Sequence, residues 1–182
     1  MTPATGSTSI PFQDAITLTQ SLMARMAAGE LKGDELRAAI AALVQSKTGV
    51  RGFFATYLTD DSDLADRPEP EIIQALQSSP DLVADILLKN LAMSAAMTIA
   101  HRRQGNEEMA QGADRVRSRT AQLIDRVALP QVHQRAEQLH ASASMGRGDY
   151  YSFLQRWGYD PEQLRAICQA IAPLISQPSQ GI

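Results

Sequence analysis

The strongest constraint on this chain is a pair of long helix-period segments that meet at one tight stop. The first runs over residues 80–104 and the second over 107–128, with only Gly105 and Asn106 between them. Ser79 is placed to cap the first segment, Pro80 suits its opening position, and Asp81 lies beside the positive end of the helix dipole. Gly105 can take the left-handed conformation that ends a helix, and Asn106 can cap the next one, with Glu107 and Glu108 in its first turn. So short a connection forces the two helices antiparallel. At 1.5 Å per residue each arm is about 33–38 Å long. A hairpin of that length needs further helices to cover its apolar faces.

The rest of the chain supplies them. Residues 9–28 read as a helix capped by Ser9, with Phe12, Ile16, Thr19, Leu22, Met23 and Met26 on its apolar stripe and Gly29 as its stop. A second helix starts at Gly33 with Asp34 as cap, buries Leu36, Ala39, Ile40, Leu43 and Val44, and is closed by Gly49. Shorter helices are expected over 50–58 and 70–78, on either side of a loop rich in Asp and Pro. Beyond the break at Pro130, helices are expected to about residue 143, from an Asp149 cap to Gly158, and from Pro161 to about residue 175, where Pro173 weakens the final turn. Almost no segment alternates with period two, and no fixed-period repeat occurs. The expectation is an all-α, single-domain helical bundle of about seven to nine helices built around the long antiparallel hairpin. It would occupy residues 9–176, between a disordered tail at 1–8 and a frayed tail at 177–182.

Composition narrows the setting. The net charge of −3 does not point to a strongly basic nucleic-acid binder, although 14 arginines stand against 3 lysines. The single cysteine, Cys168, rules out a disulfide within the chain and fits a reducing compartment. Residues 1–9 lack the basic start and apolar run of a signal peptide. The stretch 82–100 carries Asp85, Lys89 and Asn90, which argues against a membrane span. The expected location is cytoplasmic.

Four features could carry function. His133, Glu137 and His140 fall on one face of a helix at spacings of four and three, and Glu137-x-x-His140 matches one step of a di-iron carboxylate bundle. Two imidazoles and a carboxylate can also hold zinc, but no second Glu-x-x-His step exists, so a solvated helix flank is the plainer reading. Arg115, Arg119 and Arg126 line one flank of the second hairpin arm, with Arg102 and Arg103 at the end of the first. They could seat a polyanion or an acidic partner; equally, they could meet carboxylates of the same chain, such as the acidic loop at residues 60–66. Five of nine aromatics lie between Tyr150 and Tyr159, and Phe53, Phe54 and Tyr57 form a second group, in patterns that suit a core or a groove. The small residues and methionines between Ala92 and Ala100 suit close helix packing or an adaptable interface.

Residues 51–60 (RGFFATYLTD) and 87–97 (LLKNLAMSAAM), with His101-Arg102-Arg103, resemble uncharacterised helical proteins of cyanobacteria. That resemblance implies a bacterial cytosolic setting and assigns no residue a role. Too few titratable side chains converge in sequence to suggest an active site, and no cofactor motif is present. The leading expectation is therefore a non-enzymatic interaction or accessory protein, partnered by another protein or by itself as a homodimer. Nucleic-acid or polyanion binding through the five arginines is the alternative, and metal binding by the His133/Glu137/His140 face is the third reading.

Overall fold

Helix-period patterning with Gly, Pro and Asx punctuation yields nine helices and no strand among residues 10–176, which the computed structural model describes. The expected tails at 1–8 and 177–182, and the Ser9 cap, lie outside the described residues. The helices are α1 (Phe12–Ala27), α2 (Gly33–Leu43), α3 (Lys47–Tyr57), α4 (Pro70–Gln77), α5 (Pro80–Arg103), α6 (Glu107–Val127), α7 (Gln131–Met145), α8 (Tyr151–Trp157) and α9 (Pro161–Ser176). They form an all-α bundle whose contacts divide into two compact units, Met1–Leu82 and Val83–Ile182.

In the first unit α1 lies along α3 and α2 lies along α4, whereas α1 and α2 meet only sparsely. Two glycines permit the close packing. A Cβ on Gly52 would stand 2.5 Å from the Ala15 Cβ, so α3 approaches α1 as near as two backbones allow. A Cβ on Gly49 would stand 1.9 Å from the Leu43 carbonyl oxygen. Gly49 thus lies inside α3, rather than closing α2 as its type suggests. Helix α2 ends at Leu43, and Ser46 caps α3 by accepting from the Gly49 N–H at 3.0 Å. Phe53 and Tyr57 stack at 5.1 Å between centroids, Phe54 meets Phe53 edge-on, and all three are buried.

The second unit contains the expected hairpin. Gly105 is left-handed at φ +68°, and the Asn106 side chain accepts from Met109 N–H at 3.2 Å. Thr98 and Arg102 of α5 reach Asp114 of α6 at 3.1 and 2.7 Å, which fixes the antiparallel register. Helix α5 is the one described helix long and apolar enough to cross a membrane by length and composition, Asp85 and Lys89 notwithstanding; most of it is buried within the fold. Two expected caps fall elsewhere. Lys32, in extended conformation, occupies the cap position of α2, and Asp34 lies inside the first turn, paired with Arg37 at 2.7 Å. Tyr150, not Asp149, precedes α8, and the turn is fastened by Ser142, whose Oγ accepts from Tyr150 N–H at 3.2 Å. Of the aromatics between Tyr150 and Tyr159, Tyr150 is buried while Tyr151 and Trp157 are exposed.

Helix α6 ends on Ala128 in the left-handed region, at φ 50° and ψ 48°. Glycine avoids the Cβ clash that alanine meets there. Two substitutions are therefore expected to act with opposite signs in urea unfolding. Gly52→Ala lowers stability by about 1–3 kcal/mol through forced separation of α1 and α3, whereas Ala128→Gly raises it by about 1 kcal/mol.

Candidate functional site

The arginines expected to form one cationic stripe lie in different surroundings. Arg102 pairs with Asp114 at 2.7 Å and Glu107 at 3.5 Å. Arg103 donates to both Asp160 and Glu162 at the start of α9. Arg119 is buried, while Arg115 and Arg126 are exposed. Two of the five already hold carboxylates of their own unit and a third is enclosed, so the five do not form one open cationic face.

Asp160 is the organising group at the Arg103 contact. Its Oδ1 accepts from the Glu162 and Gln163 N–H groups at 2.9 and 3.0 Å, while Gln163 Oε1 accepts from Asp160 N–H at 3.1 Å. This reciprocal cap starts α9, and Gln163 Nε2 also donates to the Ala96 carbonyl of α5 at 3.2 Å. The Arg103 guanidinium, aided by these N–H donors, holds the Asp160 carboxyl down at about 2; the same contacts raise the Arg103 pKa.

The histidine face is likewise engaged in structure. His133 Nδ1 stands 4.0 Å from Glu137 Oε1, and its Nε2 lies 3.2 Å from the Ile175 carbonyl of α9. His140 is half-buried about two turns beyond His133 along α7. Among the described residues no group of three or more His, Cys, Asp or Glu side chains is arranged to hold a metal ion. Cys168 is half-buried, and burial pushes its thiol pKa up, away from the reactive thiolate.

A denser polar cluster escaped sequence reasoning. Tyr150 donates to Asp85 Oδ1 at 3.1 Å and receives a hydrogen bond from Arg135, while Lys89 donates to Asp85 Oδ2 at 2.6 Å. The Lys89 ammonium also lies over the Tyr150 and Phe153 rings, at 5.6 and 5.7 Å. Burial, reinforced by the Asp85 charge, pushes the Tyr150 phenol up to about 12. A phenol so disposed stays protonated at neutral pH and serves as a structural donor rather than a base. The available signal was the i,i+4 pair of opposite charges in an otherwise apolar helix.

The remaining feature is a cleft of about 350 Å³ in the first unit, where α1 and α2 diverge. One wall is Leu18, Ser21, Leu22 and Arg25 of α1, spaced three and four apart on a single helical face. The other is Ala39, Ala42 and Leu43 of α2, continued by Gln45 and Ser46 beyond its end, and Ile10 also lines the cleft. Arg25 of α1 reaches Glu35 of α2 at 2.9 Å. Leu18 is 48% exposed, and small alanines face it from the opposite wall. None of these cleft residues was singled out as functional from sequence, because Leu22, Ala39 and Leu43 read as ordinary core positions.

The fold and cleft define an all-α bundle with an inter-helical groove of mixed apolar and polar lining in its first unit. The chain belongs to the family described as Uncharacterised conserved protein UCP020893, which it matches over residues 11–174. No curated protein and no solved structure matches it.

Asp160 gives a pH prediction. Its folded-state pKa, about 2, lies below its ordinary value of 3.8, so its contribution to stability is present above about pH 4 and is lost as pH falls toward 2. Asn can still cap α9 but carries no charge for Arg103. Wild-type Tm is expected to fall more steeply than that of Asp160→Asn between about pH 4 and pH 2; parallel curves from circular dichroism would contradict the assignment.

Proposed function

We propose that this is a non-enzymatic helical interaction or accessory protein, and that the α1–α2 cleft is where it receives a partner. The observation that carries the reading is the pair of cleft walls. They offer Leu18 and Leu22 on one side and Ala39, Ala42 and Leu43 on the other, apolar ground of the kind on which an amphipathic helix lays its own i, i+3, i+4 and i+7 anchors. The cleft volume, about 350 Å³, falls near the lower end of ordinary ligand pockets, about 300–1,000 Å³. That room suits a few apolar side chains projecting from a docked helix. The reading is further supported by the use of the chain's most chemically varied clusters, around Asp85 and around Asp160, in joining one helix to another. Polyanion binding is less well supported, since Arg102 and Arg103 already hold carboxylates. A cytoplasmic, bacterial setting, including the cyanobacterial one implied by the resemblance, belongs to the same proposal; a single cysteine, Cys168, accords with a reducing compartment.

The test is affinity capture of the tagged full-length chain from native cells, with nuclease, beside Leu22→Glu and Ala42→Glu. The expected outcome is a near-stoichiometric protein that survives nuclease and is lost from both variants, because a buried unpaired carboxylate empties the seat. Material that disappears with nuclease, or a partner retained by both variants, contradicts the proposal.

A further inference from the structure

We infer that the helix seated in the cleft is α1 of a second copy of this chain, making the protein an antiparallel two-fold homodimer. The inference rests on the reading of the cleft as a helix seat and names its occupant.

The outward face of α1 carries its own complement. Asp14, Leu18, Ser21 and Arg25 recur at four, three and four residues, and so lie within a narrow arc of the helix, with Leu22 alongside. The opposite arc, Ala15, Thr19, Met23 and Met26, is buried within the unit. The outward face thus has a carboxylate at one end, a guanidinium at the other and leucines between. An antiparallel pairing centred between Leu18 and Ser21 sets Asp14 of each copy opposite Arg25 of the other, at both ends at once. In the same pairing Leu18 and Leu22 of each copy point at the other's cleft, whose far wall is the low ground of Ala39 and Ala42.

Protruding leucine and small-residue hollow therefore lie side by side on one surface. That is the self-complementary arrangement a two-fold contact requires, since each patch meets its own copy. Arg25 can serve the second copy without breaking the fold. Its pair with Glu35 is exposed, at 42% and 67%, and such pairs contribute little to stability. The exposure of Leu18, on a helix whose other apolar face is already covered, has the same explanation.

Sedimentation equilibrium of the full-length chain over a range of concentrations tests this. Wild type is expected at twice the monomer mass. Leu18→Asp should weaken dimerisation about a hundredfold, as loss of a central apolar anchor does. Asp14→Arg alone sets like charges against each other at both ends and should weaken it at least about tenfold. The double exchange Asp14→Arg with Arg25→Asp reverses every pair in a two-fold dimer and should restore the wild-type constant to within about threefold. A monomer at all concentrations overturns the inference, as does a dimer indifferent to Leu18→Asp or a double exchange no better than Asp14→Arg. A monomer that still captures a different protein through Leu22 and Ala42 overturns only the second copy; one that does neither overturns the helix seat as well.

Discussion

Helix α5 buries apolar side chains around most of its circumference, Val83, Ile86, Leu87, Leu88, Leu91, Ala95 and Ala96 among them, and a helix of that kind must be surrounded. Within the second unit its polar groups supply the fastenings. Asp85 holds Tyr150, Thr98 and Arg102 hold Asp114, Arg103 holds the head of α9, and the Ala96 carbonyl receives Gln163. Together these ties join α5 to three other stretches of chain, so the register of α6 and of α9 follows from positions along one helix. The same ties engage the chemically richest residues of the second unit in holding helices together. A carboxylate already accepting from Lys89 and Tyr150 is poorly disposed to take a proton from a substrate.

The first unit is organised by proximity instead. Gly52 admits the Ala15 backbone and Cβ where a side chain would collide, which lets α3 lie close on α1, and Gly49 likewise admits the Leu43 carbonyl at the turn that leads into α3. Helix α2 is committed to α4. Two well-packed pairs then leave α1 and α2 divergent, with Leu18 and the alanines of α2 facing the gap. The cleft lies between the two pairs, lined by one helix of each.

Much of this was legible in the sequence because helix punctuation acts locally. Gly105 and Asn106 ended one helix and capped the next as their types predict, and Gly29, Gly146 and Gly158 took left-handed conformations at helix ends. What was not legible depended on neighbours distant in sequence. Gly49 reads as a terminator until the Leu43 carbonyl is found beside it. Asp34 and Asp149 read as caps, yet Asp34 pairs with Arg37 while Ser142 fastens the turn before α8. Ala128 carries no sequence mark of a left-handed residue. The cleft was illegible for a related reason: periodicity marks one apolar stripe on α1 that includes Leu22 but not Leu18, and it does not show which side chains beside that stripe the fold leaves open.

In the proposed dimer the outward face of α1 and the alanine wall of α2 form a seat for a second α1. Amide hydrogen exchange of the unmodified chain, followed across a wide range of protein concentration, tests it most directly. Slowed exchange that grows with concentration and is confined to residues 14–25 and 39–46 is the predicted result. Exchange independent of concentration, or protection appearing on other helices, would contradict it.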